Sequence, residues 1–224
     1  MRRGSIHALI GPNGAGKTTC FNLLTKFLEP TRGQILFDGH DITRDKPADI
    51  ARRGVVRSFQ ISSTFPNMSV LQNVRVALQQ TLGTAYQFWK SESTLNQLNM
   101  RCMELLDEVG LTEYSHLPAV ELPYGRKRAL EIATTLAMEP KLMLLDEPTQ
   151  GMSHSDTHDT EALIRGLSRD HGLSILLVEH DVELVMNLSD HVVVMHQGQK
   201  LAEGSPAEVR SNAAVQAAYF GEKT

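Results

Sequence analysis

Gly11-Pro12-Asn13-Gly14-Ala15-Gly16-Lys17-Thr18 stands between a short apolar run, Ile6–Ile10, and a helical pattern from Lys17 to about Phe27. The spacing is G-x-x-x-x-G-K-T, a match that chance supplies in roughly 1% of chains this long. Strand before and helix after is the setting such a loop needs to cradle phosphate. The glycines let the chain wind tightly, so successive backbone N–H groups point inward at phosphate oxygens. The helix that follows aims its positive end at the same anion. Lys17 is expected to reach the β- and γ-phosphates of ATP, and the Thr18 hydroxyl to ligate Mg2+. Gly11, Pro12, Asn13, Gly14, Ala15, Gly16, Lys17, Thr18 and Thr19 form the predicted nucleotide cradle.

The second half of the site is Leu142-Met143-Leu144-Leu145-Asp146-Glu147. Four apolar residues predict a buried strand with two acids at its carboxyl end, the edge where open parallel sheets bind ligands. Asp146 is expected to hold Mg2+ through water, and Glu147 to orient the attacking water or accept its proton.

Working outward, Ile35 and Phe37 with the Asp38-Gly39 turn predict a strand and its exit. Strand signals vanish between about Ile61 and Thr135, where helical periodicity takes over. Leu98, Cys102, Leu105, Leu106 and Val109 share one helical face, and Gly110 ends it. Strands return at Leu142–Leu145, Ile175–Val178 and Val192–Met195, with helices near Asp156–Leu167 and Val182–Leu188 between them. Alternation of this kind predicts an α/β fold with a mostly parallel sheet. Residues 1–60 and 136–224 are read as the ATPase core, and 61–135 as an inserted helical subdomain.

Composition is that of an ordinary globular chain: 224 residues, 41% hydrophobic and 21% charged, with net charge −4. The acidic balance argues against a nucleic-acid partner. No apolar run approaches the ~20 residues of a membrane-spanning helix. Cys20 and Cys102 offer neither a disulfide framework nor metal spacing, which fits a reducing, cytoplasmic setting.

Three further segments extend the phosphate and acid motifs. They are Arg57-Ser58-Phe59-Gln60, Leu122-Pro123-Tyr124-Gly125-Arg126-Lys127-Arg128, and Val178-Glu179-His180-Asp181. With these the chain resembles the ATP-binding subunit of an ABC transporter, a P-loop NTPase with a RecA-like core. Within that family it is most similar to the branched-chain amino acid importer ATPases, on those phrases, Val185-Met186 and the tail Ala218-Tyr219-Phe220-Gly221-Glu222. Urea-type importers and the lipopolysaccharide-export ATPase share much of this texture. The alternative classes are a soluble, non-transport ATPase of the same fold and a subunit that binds nucleotide without efficient hydrolysis.

The resemblance implies the remaining roles. Gln60 would ligate Mg2+ and sense the transmembrane partner. Tyr124, Gly125 and Arg126 would meet ATP held by a second ATP-binding subunit. His180 would contact the γ-phosphate and the Glu147 region. The implied partners are that second subunit, transmembrane permeases and, indirectly, a periplasmic substrate-binding protein. The implied location is peripheral, on the cytoplasmic face of the inner membrane. Pro123 replaces the signature serine, and Ser153 stands where the family's dimer-contact loop usually has Asp. The family also carries two strands and an adenine-stacking aromatic upstream of the phosphate loop. Ten residues precede Gly11 here, so those N-terminal strands and that platform are expected to be missing.

Three cations at 126–128 open a helix whose dipole disfavours them, by roughly 0.3–1 kcal/mol each when exposed. Glu121 and Glu131 would offset part of that cost, and a bound phosphate more.

Overall fold

The computed structural model describes residues 1–58, 64–81 and 92–220. In chain order its elements begin with β1 (Ile6–Ile10), α1 (Lys17–Leu24), β2 (Leu36–Phe37), β3 (His40–Asp41), α2 (Pro47–Arg52) and β4 (Val55–Ser58). Three helices follow: α3 (Val70–Thr81), α4 (Glu92–Glu108) and α5 (Tyr124–Leu136). Then come β5 (Leu142–Asp146), α6 (His154–His171), β6 (Ser174–Val178), α7 (Val182–Leu188), β7 (His191–His196), β8 (Gln199–Gly204) and α8 (Pro206–Ser211).

The chain divides into two compact units, 1–57 with 141–148 and 164–224, and 58–140 with 149–163. In the first, six strands run in the order β4-β5-β6-β1-β7-β8. β1 pairs in parallel with both β6 and β7, and β5 with β6, while β7 and β8 are antiparallel. Every residue of β1, β5 and β6 is buried. That explains their unbroken apolar runs: a strand covered on both faces has no solvent side to alternate with. Leu9, Phe21, Ile42, Ile50, Leu144 and Leu176 share one core cluster.

The second unit holds α3, α4 and α5. Leu98, Cys102, Leu105, Leu106 and Val109 are all buried, as the helical spacing predicts, and Gly110 follows in the left-handed region at φ 68°. This unit takes in residues 149–163 because Tyr124 Oη donates to the Gln150 carbonyl at 3.0 Å and Gly125 packs against Asp156.

Two boundaries differ from the sequence expectation. α1 stops at Leu24 rather than near Phe27. Thr25 Oγ1 donates back to the Phe21 carbonyl at 2.8 Å, and Lys26 turns left-handed at φ 63°. The segment at Ile35–Phe37 is half of a separate hairpin, β2–β3, joined by Asp38 and Gly39 with φ 51° and 79°. Positive φ at both central residues is the geometry that matches strand twist in a two-residue turn. No helix among the described residues is long and apolar enough to cross a membrane.

His7 lies on β1 with 8% of its surface exposed, opposite His191 on β7, the rings 5.0 Å apart. Burial pushes its pKa down to about 4, helped by the N-terminal charge and His191. The folded chain therefore keeps His7 neutral while the unfolded chain protonates it below pH 6.5. Stability is lost as pH falls from about 6.5 to 4, and no more is lost below that. The expected loss between pH 7 and 5 is about 2 kcal/mol. Urea melts at the two pH values should show it, and His7→Val should remove most of it. An unchanged pH dependence in that variant would exclude His7 as the source.

Candidate active site

β1 ends at Ile10 and releases the chain into the loop at the carboxyl edge of the sheet. Gly11 has no room for a side chain, since a Cβ there would lie 2.2 Å from the Met195 carbonyl oxygen. Ala15 N–H donates to the Pro12 carbonyl at 3.1 Å, and the Gly198 N–H donates to the Ala15 carbonyl at 3.0 Å. The loop is thus closed on itself and braced from behind by the turn between β7 and β8. Gly16, at φ 101°, is the N-cap of α1, which has no side-chain cap and no acid in its first turn. A helix start of this kind is left for an anion.

Lys17 is buried, and its Nζ donates to the carbonyls of Gly11 at 2.6 Å and Pro12 at 3.1 Å. Burial lowers its pKa, and the nearby charges of Glu147 and Asp146 partly restore it. Asn13, Gly14, Thr18 and Thr19 are exposed on the loop and first turn.

The acids follow as expected at the end of β5. Asp146 is buried, and Arg57 Nη2 donates to its Oδ2 at 2.5 Å. Glu147 is held at φ 47°, a left-handed conformation that is costly for a residue with a Cβ. Its N–H donates to the Val178 carbonyl at 2.8 Å, which locks that backbone against β6. Its Oε1 lies 2.9 Å from His180 Nε2, an N–H to carboxylate pair. His180 lies two residues past the end of β6, and Asp181 caps α7 by accepting from the Leu184 N–H at 3.1 Å. Two adjacent strand ends and one helix cap therefore set the Glu147–His180 pair.

Lys17, Asp146, Glu147 and His180 all belong to the first unit. Thr18 and Asp146 offer the hard oxygen donors that Mg2+ takes. Gln60 lies outside the described residues, as do Phe59 and the tail residues Gly221 and Glu222.

In the second unit Tyr124 is 61% exposed at the start of α5. Gly125 has no space for a side chain, its Cβ position lying 2.8 Å from the Asp156 carboxyl. Arg126 lies on the first turn of α5. Its Nη1 donates to the Gly110 carbonyl at 3.4 Å and its guanidinium lies 5.7 Å from the Tyr114 ring centroid. Arg128 pairs with Glu131 at 2.5 Å, both buried. Two of the three helix-opening cations thus have partners within the unit, Arg128 with Glu131 as the sequence allows. Ser153 caps α6, its Oγ accepting from the Asp156 N–H at 3.2 Å.

Arg57 stands in the sequence only as the first residue of Arg57-Ser58-Phe59-Gln60, and nothing local signals its hold on Asp146. Arg52 and Arg53, just before β4, pair with Asp49 and Asp45.

Comparison with known proteins places this geometry. The ABC transporter family profile matches residues 1–150, and a branched-chain amino acid ATP-binding cassette transporter profile matches 199–223. The chain is 43% identical over 223 residues to the high-affinity branched-chain amino acid transport ATP-binding protein BraF of Pseudomonas aeruginosa, covering 96% of this chain and 86% of that one. It is 41% identical over 225 residues to LivG of Escherichia coli K12, a protein of the same description, covering 97% and 87%. The crystal structure of the ADP conformation of MJ1267, an ATP-binding cassette of an ABC transporter, superposes with TM-score 0.83 at 30% identity, covering 98% of this chain and 89% of that one. These matches favour a transport ATPase over a soluble, non-transport one. The chain belongs to the ABC transporter family, as an ATP-binding subunit that hydrolyses ATP.

Proposed function

We propose that the subunit powers import of branched-chain or other hydrophobic amino acids, from the cytoplasmic face of the inner membrane. The cargo follows the described function of BraF and LivG together with the profile match at 199–223. In this reading the loop amides and Lys17 bind the ATP phosphates, with the Lys17 ammonium leaving the Gly11 and Pro12 carbonyls for the γ-phosphate. Thr18, Gln60 and Asp146 would hold Mg2+, which would neutralise phosphate charge when bound. Glu147 orients water in line with the γ-phosphate. His180 fixes the carboxylate and faces the same phosphate. Tyr124, Gly125 and Arg126 present the second unit to nucleotide on another subunit, and two such subunits drive a pair of permeases. The observation that carries the chemistry is the Glu147–His180 pair at 2.9 Å, on a backbone strained at Glu147.

Calorimetric titration with ATP and Mg2+ tests the cradle. Lys17→Ala is expected to weaken ATP by about 10- to 100-fold, the loss of charge-assisted bonds to phosphate. Equal affinity in the two proteins would remove Lys17 from the site. For the cargo, cells expressing the chain with its neighbouring permease genes should accumulate labelled leucine, with valine and isoleucine competing. Uptake indifferent to those competitors would overturn the amino acid assignment.

A further inference from the structure

Arg57 crosses from β4 to the site. Its guanidinium donates to Asp146 Oδ2 at 2.5 Å and to Asn22 Oδ1 at 2.8 Å, and lies 5.5 Å from the Phe21 ring centroid. The Arg57 and Asp146 side chains are 12% and 9% exposed. Asn22 and Phe21 lie on α1, the helix that begins at Lys17. The cation is therefore anchored at two points besides the carboxylate, and is not a surface arginine that happens to reach an acid.

We propose that Arg57 is a positioning residue that acts through Asp146, making divalent-cation binding conditional on nucleotide. A guanidinium and a hydrated divalent cation both draw on the charge of one carboxylate. With its negative charge met by a buried arginine, Asp146 attracts a lone cation weakly. The triphosphate brings the further negative charge that tips the balance, so metal and ATP enter together. Arg57 also holds the carboxylate in one orientation, ready for the incoming pair. This inference rests on the reading of Asp146 as a metal-holding group.

The test is Mn2+ binding followed by electron paramagnetic resonance, on the full chain with and without ATP. Nucleotide-free wild type is expected to bind Mn2+ weakly. Arg57→Met should bind it at least about tenfold more tightly, the effect of removing one nearby positive charge. Adding Asp146→Asn to that variant should return affinity to the wild-type level. Arg57→Lys, which keeps the charge, should stay within about threefold of wild type. Arg57→Gln keeps a donor without the charge. It should shift as Arg57→Met does, and replaces it if circular dichroism shows that variant unfolded. Nucleotide-free affinity within twofold of wild type in both uncharged variants would overturn the proposal. The underlying reading has its own arm: with ATP present, Asp146→Asn alone should release Mn2+. If it does not, the assignment of Asp146 fails. If it does and the Arg57 variants do not shift, only the competition fails.

Discussion

Glu147→Gln should lower the steady-state rate of ATP hydrolysis by about 10²- to 10⁴-fold while leaving ATP binding intact. That is roughly 3–5 kcal/mol of transition-state stabilisation. The substitution suits the question because it changes the chemistry and little else. Gln matches Glu in size, meets the same left-handed strain at φ 47°, and keeps a carbonyl oxygen for the His180 N–H. Folding stability should therefore hold, which a thermal melt would check. What Gln lacks is the negative charge by which Glu147, in the role proposed for it, orients water and accepts its proton. His180→Ala should cost less, because it frees the carboxylate without removing it. A Glu147→Gln rate within tenfold of wild type would take Glu147 out of the chemistry. It would also redirect attention to a subunit that binds nucleotide without efficient hydrolysis.

Gly11→Ala should cost at least about 3 kcal/mol in stability, whereas Gly14→Ala should cost about 1–2. Both positions lie in the same loop, but the motif requires glycine at 11 and leaves 14 open. Their surroundings differ. At Gly11 a Cβ meets the Met195 carbonyl at 2.2 Å and the Ala15 Cβ at 3.0 Å. The first is backbone of β7, which cannot move without disturbing the β1–β7 pairing that carries the loop. At Gly14 nothing lies within 4 Å, and the only penalty is the backbone at φ 78°. Urea unfolding midpoints of the two variants decide the matter. Equal losses would mean that the loop yields at Gly11 and the brace from β7 is soft.

Local patterns carried much of the structure. The phosphate loop sits between β1 and α1 where its spacing placed it. The apolar runs at 142–145 and 175–178 are buried strands, and the α4 face from Leu98 to Val109 is buried as its period required. These features were legible because each depends on residues within a few positions of one another. Strand β8 was not, since its half-exposed residues form no apolar run. The early end of α1 was hidden for a related reason, as a single hydroxyl bond at Thr25 outweighs the apolar spacing that continues to Phe27.

The amino-acid sequence by itself determined the family and the residues on which the proposed chemistry rests: a glycine-rich loop between strand and helix, an acid pair at the end of a buried strand, and a histidine after the next one. Tertiary structure alone decided which groups face those residues. Arg57 reaches Asp146 across 89 positions of chain, His180 reaches Glu147 across 33, and Arg126 turns to Gly110. Such pairings depend on strand order and register, which bring distant backbone together. No periodicity in the chain records which side chain will stand opposite another once the sheet has formed.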